Sequence, residues 1–136
     1  MATLGVSIER VSPGDVLLAL PFDARLTQQH GFLHAGVIAS VMDSACGYAA
    51  LSLMDAGAAV LSVEFKVNLL APARGTRFLA RGRVIRAGRT VTVVSGELRA
   101  HEHDVGNAPG EAGEGTLVAI LTGTMMAVRD RPELVD

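Results

Sequence analysis

The chain has 136 residues, 49% of them hydrophobic, and 12 Lys and Arg against 14 Asp and Glu give a formal net charge of −2. That length is one ordinary domain able to bury a core without covalent staples, and the apolar content excludes a generally disordered chain. The slightly negative balance, with aromatics at 4% and no Trp, argues against a protein built to attract or stack nucleic acid.

The first ten residues have neither a basic start nor a long apolar run, so no secretory signal is expected. The single cysteine, Cys46, can form neither an internal disulfide nor a CxxC pair, which fits a cytoplasmic location. Ser12-Pro13-Gly14-Asp15 is turn chemistry, and Val16 to Leu20, ended by Pro21, reads as a first strand. A polar approach, Asp23 to His30, leads to a stretch from Ala35 to about Met54 in which apolar residues recur at three- and four-residue steps. That is the pattern of one long helix. Its remaining positions are mostly Ala, Ser and Gly, so the helix should be central and enclosed. Asp43 and the scarcity of large apolar side chains argue against a membrane span. Four strands are predicted after it, Ala59 to Leu70, Thr76 to Arg86, Thr90 to Arg99 and Thr116 to Val128, with turns at Pro72 to Gly75 and at Ala87-Gly88. Short connections favour antiparallel pairing, so the class is α+β: a curled antiparallel sheet around one helix, in one domain over residues 1–136. His101 to Gly115, rich in Gly and acids, reads as a solvated, mobile hairpin loop.

Asp43 is the only charged residue between Ala35 and Met54. A carboxylate on a helix suited to burial is costly unless it is paired or used, so it is either the acid of a site or a residue on a wet stripe. His34-Ala35-Gly36 stands at the helix start, where backbone N–H groups lack intrahelical partners and favour an anion or a developing oxyanion. His34 itself could equally be only a cap. Gly36 and Asp43 lie on one helical face about 10 Å apart along the axis at 1.5 Å per residue. If they cooperate, the ligand is long or the acid comes from a second subunit. Seven arginines, Arg74, Arg77, Arg81, Arg83, Arg86, Arg89 and Arg99, fall in one span whose only acid is Glu97. Guanidinium forks suit phosphate, and the alternative is a solvated outer sheet face. The nucleophile elbow GxSxG, the phosphate loop GxxxxGK[ST] and the dinucleotide fingerprint GxGxxG are absent from the sequence. His101-Glu102-His103-Asp104 reads as loop rather than as a metal cluster, and Cys46 as a small buried hydrophobe.

Gln28-Gln29-His30-Gly31-Phe32-Leu33-His34-Ala35-Gly36, then six residues, then Asp43-Ser44-Ala45, resembles the HGG-x6-D signature of hotdog-fold acyl-CoA thioesterases of the phenylacetate-pathway PaaI type. Leu61 to Gly75, ending Pro72-Ala73-Arg74-Gly75, is similar to that family's strand closing on Pro-Ala-x-Gly. Arg81-Gly82-Arg83-Val84 and Arg86-Ala87-Gly88-Arg89 are similar to its following hairpin. Ala35 stands where the family has the first Gly of HGG, and Gln28 where it often has Asn.

The resemblance implies a hotdog fold and hydrolysis of an acyl-CoA to a carboxylic acid and free CoA, without cofactor or metal. By position it makes Asp43 the general base or nucleophile, the Ala35 N–H the oxyanion donor, Gln28 the amide that holds substrate or water, and Ser62 the hydroxyl that positions the acid. His34, Gly36, Arg83, Arg86 and Arg89 become candidate substrate contacts, the arginines through CoA phosphates. It also implies a homodimer, assembling into a homotetramer, in which Gln28 and Ala35 of one subunit face Asp43 and Ser62 of the other. A hotdog hydratase or dehydratase recruiting His30 or His34, and a non-catalytic acyl-CoA binding protein, are the alternative readings. Nucleic acid and membrane are not expected partners.

Overall fold

The computed structural model describes residues 1–102 and 115–129. Six strands and one long helix follow in the order β1 (Ser7–Ser12), β2 (Asp15–Pro21), α1 (Ala35–Leu51), β3 (Ala59–Leu69), β4 (Arg77–Ala87), β5 (Val91–His101) and β6 (Thr116–Val128). The strands form one sheet in the order β1-β2-β4-β5-β6-β3, and every neighbouring pair is antiparallel. The α+β prediction holds, and α1 lies on one face of that sheet in the hotdog arrangement.

The four strands after the helix match the sequence pattern within two residues at each end. One strand escapes that pattern. Ser7–Ser12 pairs with β2 through the Ser12-Pro13-Gly14-Asp15 turn, but a bulge between Ile8 and Arg10 breaks its two-residue period, and Ile8 and Val11 remain exposed. The helix ends at Leu51, short of Met54, and the cause is tertiary. The Ser52 hydroxyl donates to the Ala49 carbonyl (2.7 Å) and accepts from the Gly14 N–H (2.8 Å), so the β1–β2 turn closes the last turn of the helix.

Helix and sheet meet backbone to backbone. A Cβ on Gly82 would lie 2.3 Å from the Ala45 carbonyl, and one on its cross-strand partner Gly96 would lie 2.9 Å from Cys46 Sγ. Two glycines side by side thus form a seat for Ala45 and Cys46, which explains why the helix carries such small residues there. Around the seat pack Leu18 and Leu20 of β2, Phe78 of β4, Val94 and Leu98 of β5, and Leu121 and Met125 of β6, against Val41, Met42 and Ala49 of α1. The expected full enclosure of the helix is not met within one chain. A single sheet layer covers one side only, and Ser40 and Tyr48 stay exposed with Asp43 half-buried.

The crossover from α1 carries β3 past the other strands to the far edge, where it pairs only with β6. Most of β3 is exposed on both faces, including Leu61, Val63, Phe65 and Leu69. The Gly-rich stretch between β5 and β6, with His103 and Asp104, lies outside the described residues for positions 103–114.

Candidate active site

Four residues singled out in the sequence fall into two pairs. The first pair is Asp43 and Ser62. Asp43 sits in the middle of α1, and Ser62 stands on β3 where a bulge between Ser62 and Glu64 shifts the register against β6. The Ser62 hydroxyl donates to Asp43 Oδ1 at 2.7 Å, and Met125 Sδ lies 3.3 Å from Ser62 Oγ. The bond holds the carboxylate in one orientation and leaves Oδ2 with no partner among the described residues. Met125 is a part of this arrangement that no motif marks, since in the sequence it is only an apolar residue of a strand.

The second pair is Gln28 and Ala35. His34 is the N-cap of α1, with extended backbone at φ −65° and ψ 138°. Its ring turns back so that Nδ1 accepts the Gly36 N–H at 2.9 Å, while the Val37 and Ile38 N–H groups both donate to the His34 carbonyl. Gly36 suits this cap, because a Cβ there would come within 3.1 Å of the ring. Three of the first four helical N–H groups are therefore engaged, and that of Ala35 has no acceptor among the described residues. Ala35 borders a cavity of about 370 Å³, lined also by Gln28, Phe32, Leu33, Ile38 and the segment from Leu69 to Ala73. Gln28 is half-buried, and its Oε1 accepts the His30 N–H. Gln28 is the one polar side chain among the lining residues, a composition suited to a largely apolar ligand.

The two pairs do not meet within one chain, since eight residues of helix separate Ala35 from Asp43 by about 12 Å at 1.5 Å per residue.

Cys46 is no candidate nucleophile. Burial, and then the charge of Asp43, push its thiol up to about 12, so it stays protonated at neutral pH.

The arginine-rich span proves largely paired on the sheet face away from the helix. Arg81 Nε lies 3.0 and 3.1 Å from the two carboxylate oxygens of Asp15, Arg10 reaches the same carboxylate at 3.2 Å and Arg83 at 3.4 Å, and Arg77 pairs with Glu9 at 2.9 Å. Those acids belong to β1 and β2, far away in sequence, so the local count overstates the free positive charge. Arg86 and Arg89 form no ion pair among the described residues. Arg74, counted in the span but not singled out there, lies with its guanidinium 4.7 Å from the centroid of the Phe32 ring.

Hydrogen bonding from Arg81 holds the Asp15 carboxyl below the usual carboxylate range, outweighing the opposing effect of burial. A carboxyl whose pKa is lowered by folding stabilises the fold above its unfolded pKa and loses that contribution as pH falls through the folded value. Asp15→Asn is therefore expected to cost about 1–2 kcal/mol at pH 7, and the gap from wild type should close below about pH 4. Urea melts of both proteins at pH 7 and pH 3 check this; a gap that stays constant with pH would contradict it.

The single helix laid on a six-stranded antiparallel sheet places the protein among hotdog proteins. A family model described as the thioesterase superfamily matches residues 30–106, and the chain belongs to that superfamily of thioester hydrolases. Among solved structures, a thioesterase family protein from Silicibacter pomeroyi is similar over 95% of this chain and 88% of that one, at 51% identity and a TM-score of 0.85. The PaaI protein of the Escherichia coli phenylacetic acid degradation operon shares the fold, with a TM-score of 0.78 over 93% of this chain and 82% of that one at 20% identity. The medium/long-chain acyl-CoA thioesterase YigI of Escherichia coli is 29% identical over 114 residues, 73% of this chain and 74% of that protein. No helix among the described residues is long and apolar enough to cross a membrane.

Proposed function

We propose that the protein hydrolyses acyl-CoA thioesters at a site completed by a second copy of the chain, Gln28 and Ala35 coming from one subunit and Asp43 and Ser62 from the other. The observation that carries this is the separation of two complementary half-sites on one helix: an oriented carboxylate at its middle and an unpartnered N–H at its start. The edge strand β3 supports it. It carries Ser62, presents unpaired backbone groups and exposes Leu61, Val63, Phe65 and Leu69, a surface that antiparallel pairing with a second β3 covers. The homotetramer is a second level of the same assembly, two such dimers together.

In this reading the Ala35 N–H donates to the thioester carbonyl oxygen and stabilises the charge that develops on it. Gln28 holds the attacking water or the carbonyl from the cavity side. Ser62 fixes one oxygen of Asp43, and the other takes the proton of the water that attacks the carbonyl carbon. The tetrahedral intermediate collapses with loss of the CoA thiolate, which recovers a proton from Asp43. The products are a carboxylic acid and free CoA.

The test is free-thiol release from a panel of short, medium, long and aryl acyl-CoAs, together with an enoyl-CoA. Hydrolysis of at least one member is expected. Hydration of the enoyl-CoA without thiol release would favour the hydratase reading, and tight binding without turnover would favour a binding protein.

A further inference from the structure

Gln28 is the one polar side chain lining the cavity beside Ala35, Arg74 follows its last lining residue in the chain, and we infer that Arg74 binds an anionic group of the substrate there. The inference rests on the acyl-CoA reading and goes beyond it by assigning a specificity residue. Arg74 follows Ala73, which lines the cavity, and its guanidinium stacks over Phe32, which lines it too. The corner that carries it is anchored. The Leu33 N–H donates to the Ala73 carbonyl at 3.4 Å and the Arg74 N–H to the Pro72 carbonyl at 2.9 Å, and a Cβ on Gly75 would lie 2.7 Å from the His101 carbonyl. Arg74 is thus an exposed side chain on a fixed backbone, oriented by an aromatic face.

Arg77, Arg81 and Arg83 are tied to acids of β1 and β2, whereas Arg74 has no acid partner among the described residues. Arg86 and Arg89 also lack an acid partner among the described residues, but of these arginines only Arg74 adjoins a residue that lines the cavity. A stacked guanidinium keeps its edge donors free, and that planar fork matches a phosphate or a carboxylate. Two parts of an acyl thioester supply such a group: the phosphates of coenzyme A, or a carboxylate at the far end of a dicarboxylic acyl chain. In the acyl-CoA reading the thioester carbonyl lies at Ala35, which lines the same cavity as Phe32 and Ala73, and the anionic group extends from it toward Arg74.

The experiment compares wild type with Arg74→Ala and Arg74→Lys on four substrates: a simple acyl group and its ω-carboxylated form, each on CoA and on pantetheine. If CoA phosphate is the ligand, Arg74→Ala reduces the wild-type preference for the CoA carrier about tenfold, mostly through KM, and Arg74→Lys restores part of it. If the acyl carboxylate is the ligand, the preference for the ω-carboxylated acyl group falls instead, on both carriers. Turnover by wild type with both ratios unchanged in Arg74→Ala overturns the inference. Absence of turnover in wild type is a different result, which overturns the thioesterase reading. In that case calorimetric titration with free coenzyme A and with a dicarboxylate tests Arg74 directly, and equal affinities in wild type and Arg74→Ala overturn it.

Discussion

Asp43→Asn is expected to lower kcat by roughly a thousandfold or more while leaving the melting temperature close to that of wild type. The asparagine carbonyl still accepts the Ser62 hydroxyl, so the contact at 2.7 Å and the packing of helix on sheet persist. What is lost is the negative charge and the ability to take a proton from water. Asp43→Ala removes the acceptor as well and should be at least as slow. Steady-state thiol release with a good substrate, beside a thermal melt of each variant, measures both quantities. An Asp43→Asn protein that keeps more than a tenth of wild-type turnover would remove Asp43 from the mechanism.

Ala35→Pro is the second change with a large effect, because it deletes one backbone N–H and little else. Proline is favoured at the first position of a helix, where its missing N–H is an orphan in any case. The preceding residue must then be extended, and His34 already is, at ψ 138°. No hydrogen bond among the described residues is broken, so the fold should be retained. If the Ala35 N–H supports the oxyanion, kcat falls about 10²–10³-fold, the usual effect of losing one such donor. Near-normal turnover in a folded Ala35→Pro protein would exclude that role.

The two variants together test the shared site. A dimer of one Asp43→Ala chain and one Ala35→Pro chain has one site with both defects and one with none. Co-refolded mixtures should therefore recover about a quarter of wild-type activity, half the dimers being hybrid with one working site each. A site built within a single chain predicts no recovery, since every chain then carries a defective site.

Much of this site is visible in the sequence, for reasons local to the chain. Asp43 stands out because it is the one charged residue on a helix otherwise made of apolar and small residues. The helix start at Ala35 is visible because the periodicity begins there after a polar approach. Ser62 and Gln28 stand out only through the resemblance, since a serine on a strand and a glutamine in a loop have no pattern of their own. The contact between Ser62 and Asp43 then follows from the crossover that lays β3 beside β6. The free N–H at Ala35, rather than at Gly36, depends on the turn of the His34 ring, which spacing alone does not determine.

By itself the sequence determined the order of the elements, the antiparallel α+β class and the length of the helix to within three residues, because turn chemistry and the 3.6- and 2-residue periods act between neighbours along the chain. It did not determine that strand β1 exists, because a bulge breaks its period, nor that the arginines of β4 are mostly neutralised. Arg81 and Asp15 lie 66 residues apart, and only the pairing of β2 with β4 brings them together. The tertiary structure also decided that β3 forms an edge, whereas the separation of the two half-sites along the helix already followed from residue spacing. Strand order is set by which apolar faces bury one another across the whole sheet, a contest between distant segments that no local window contains.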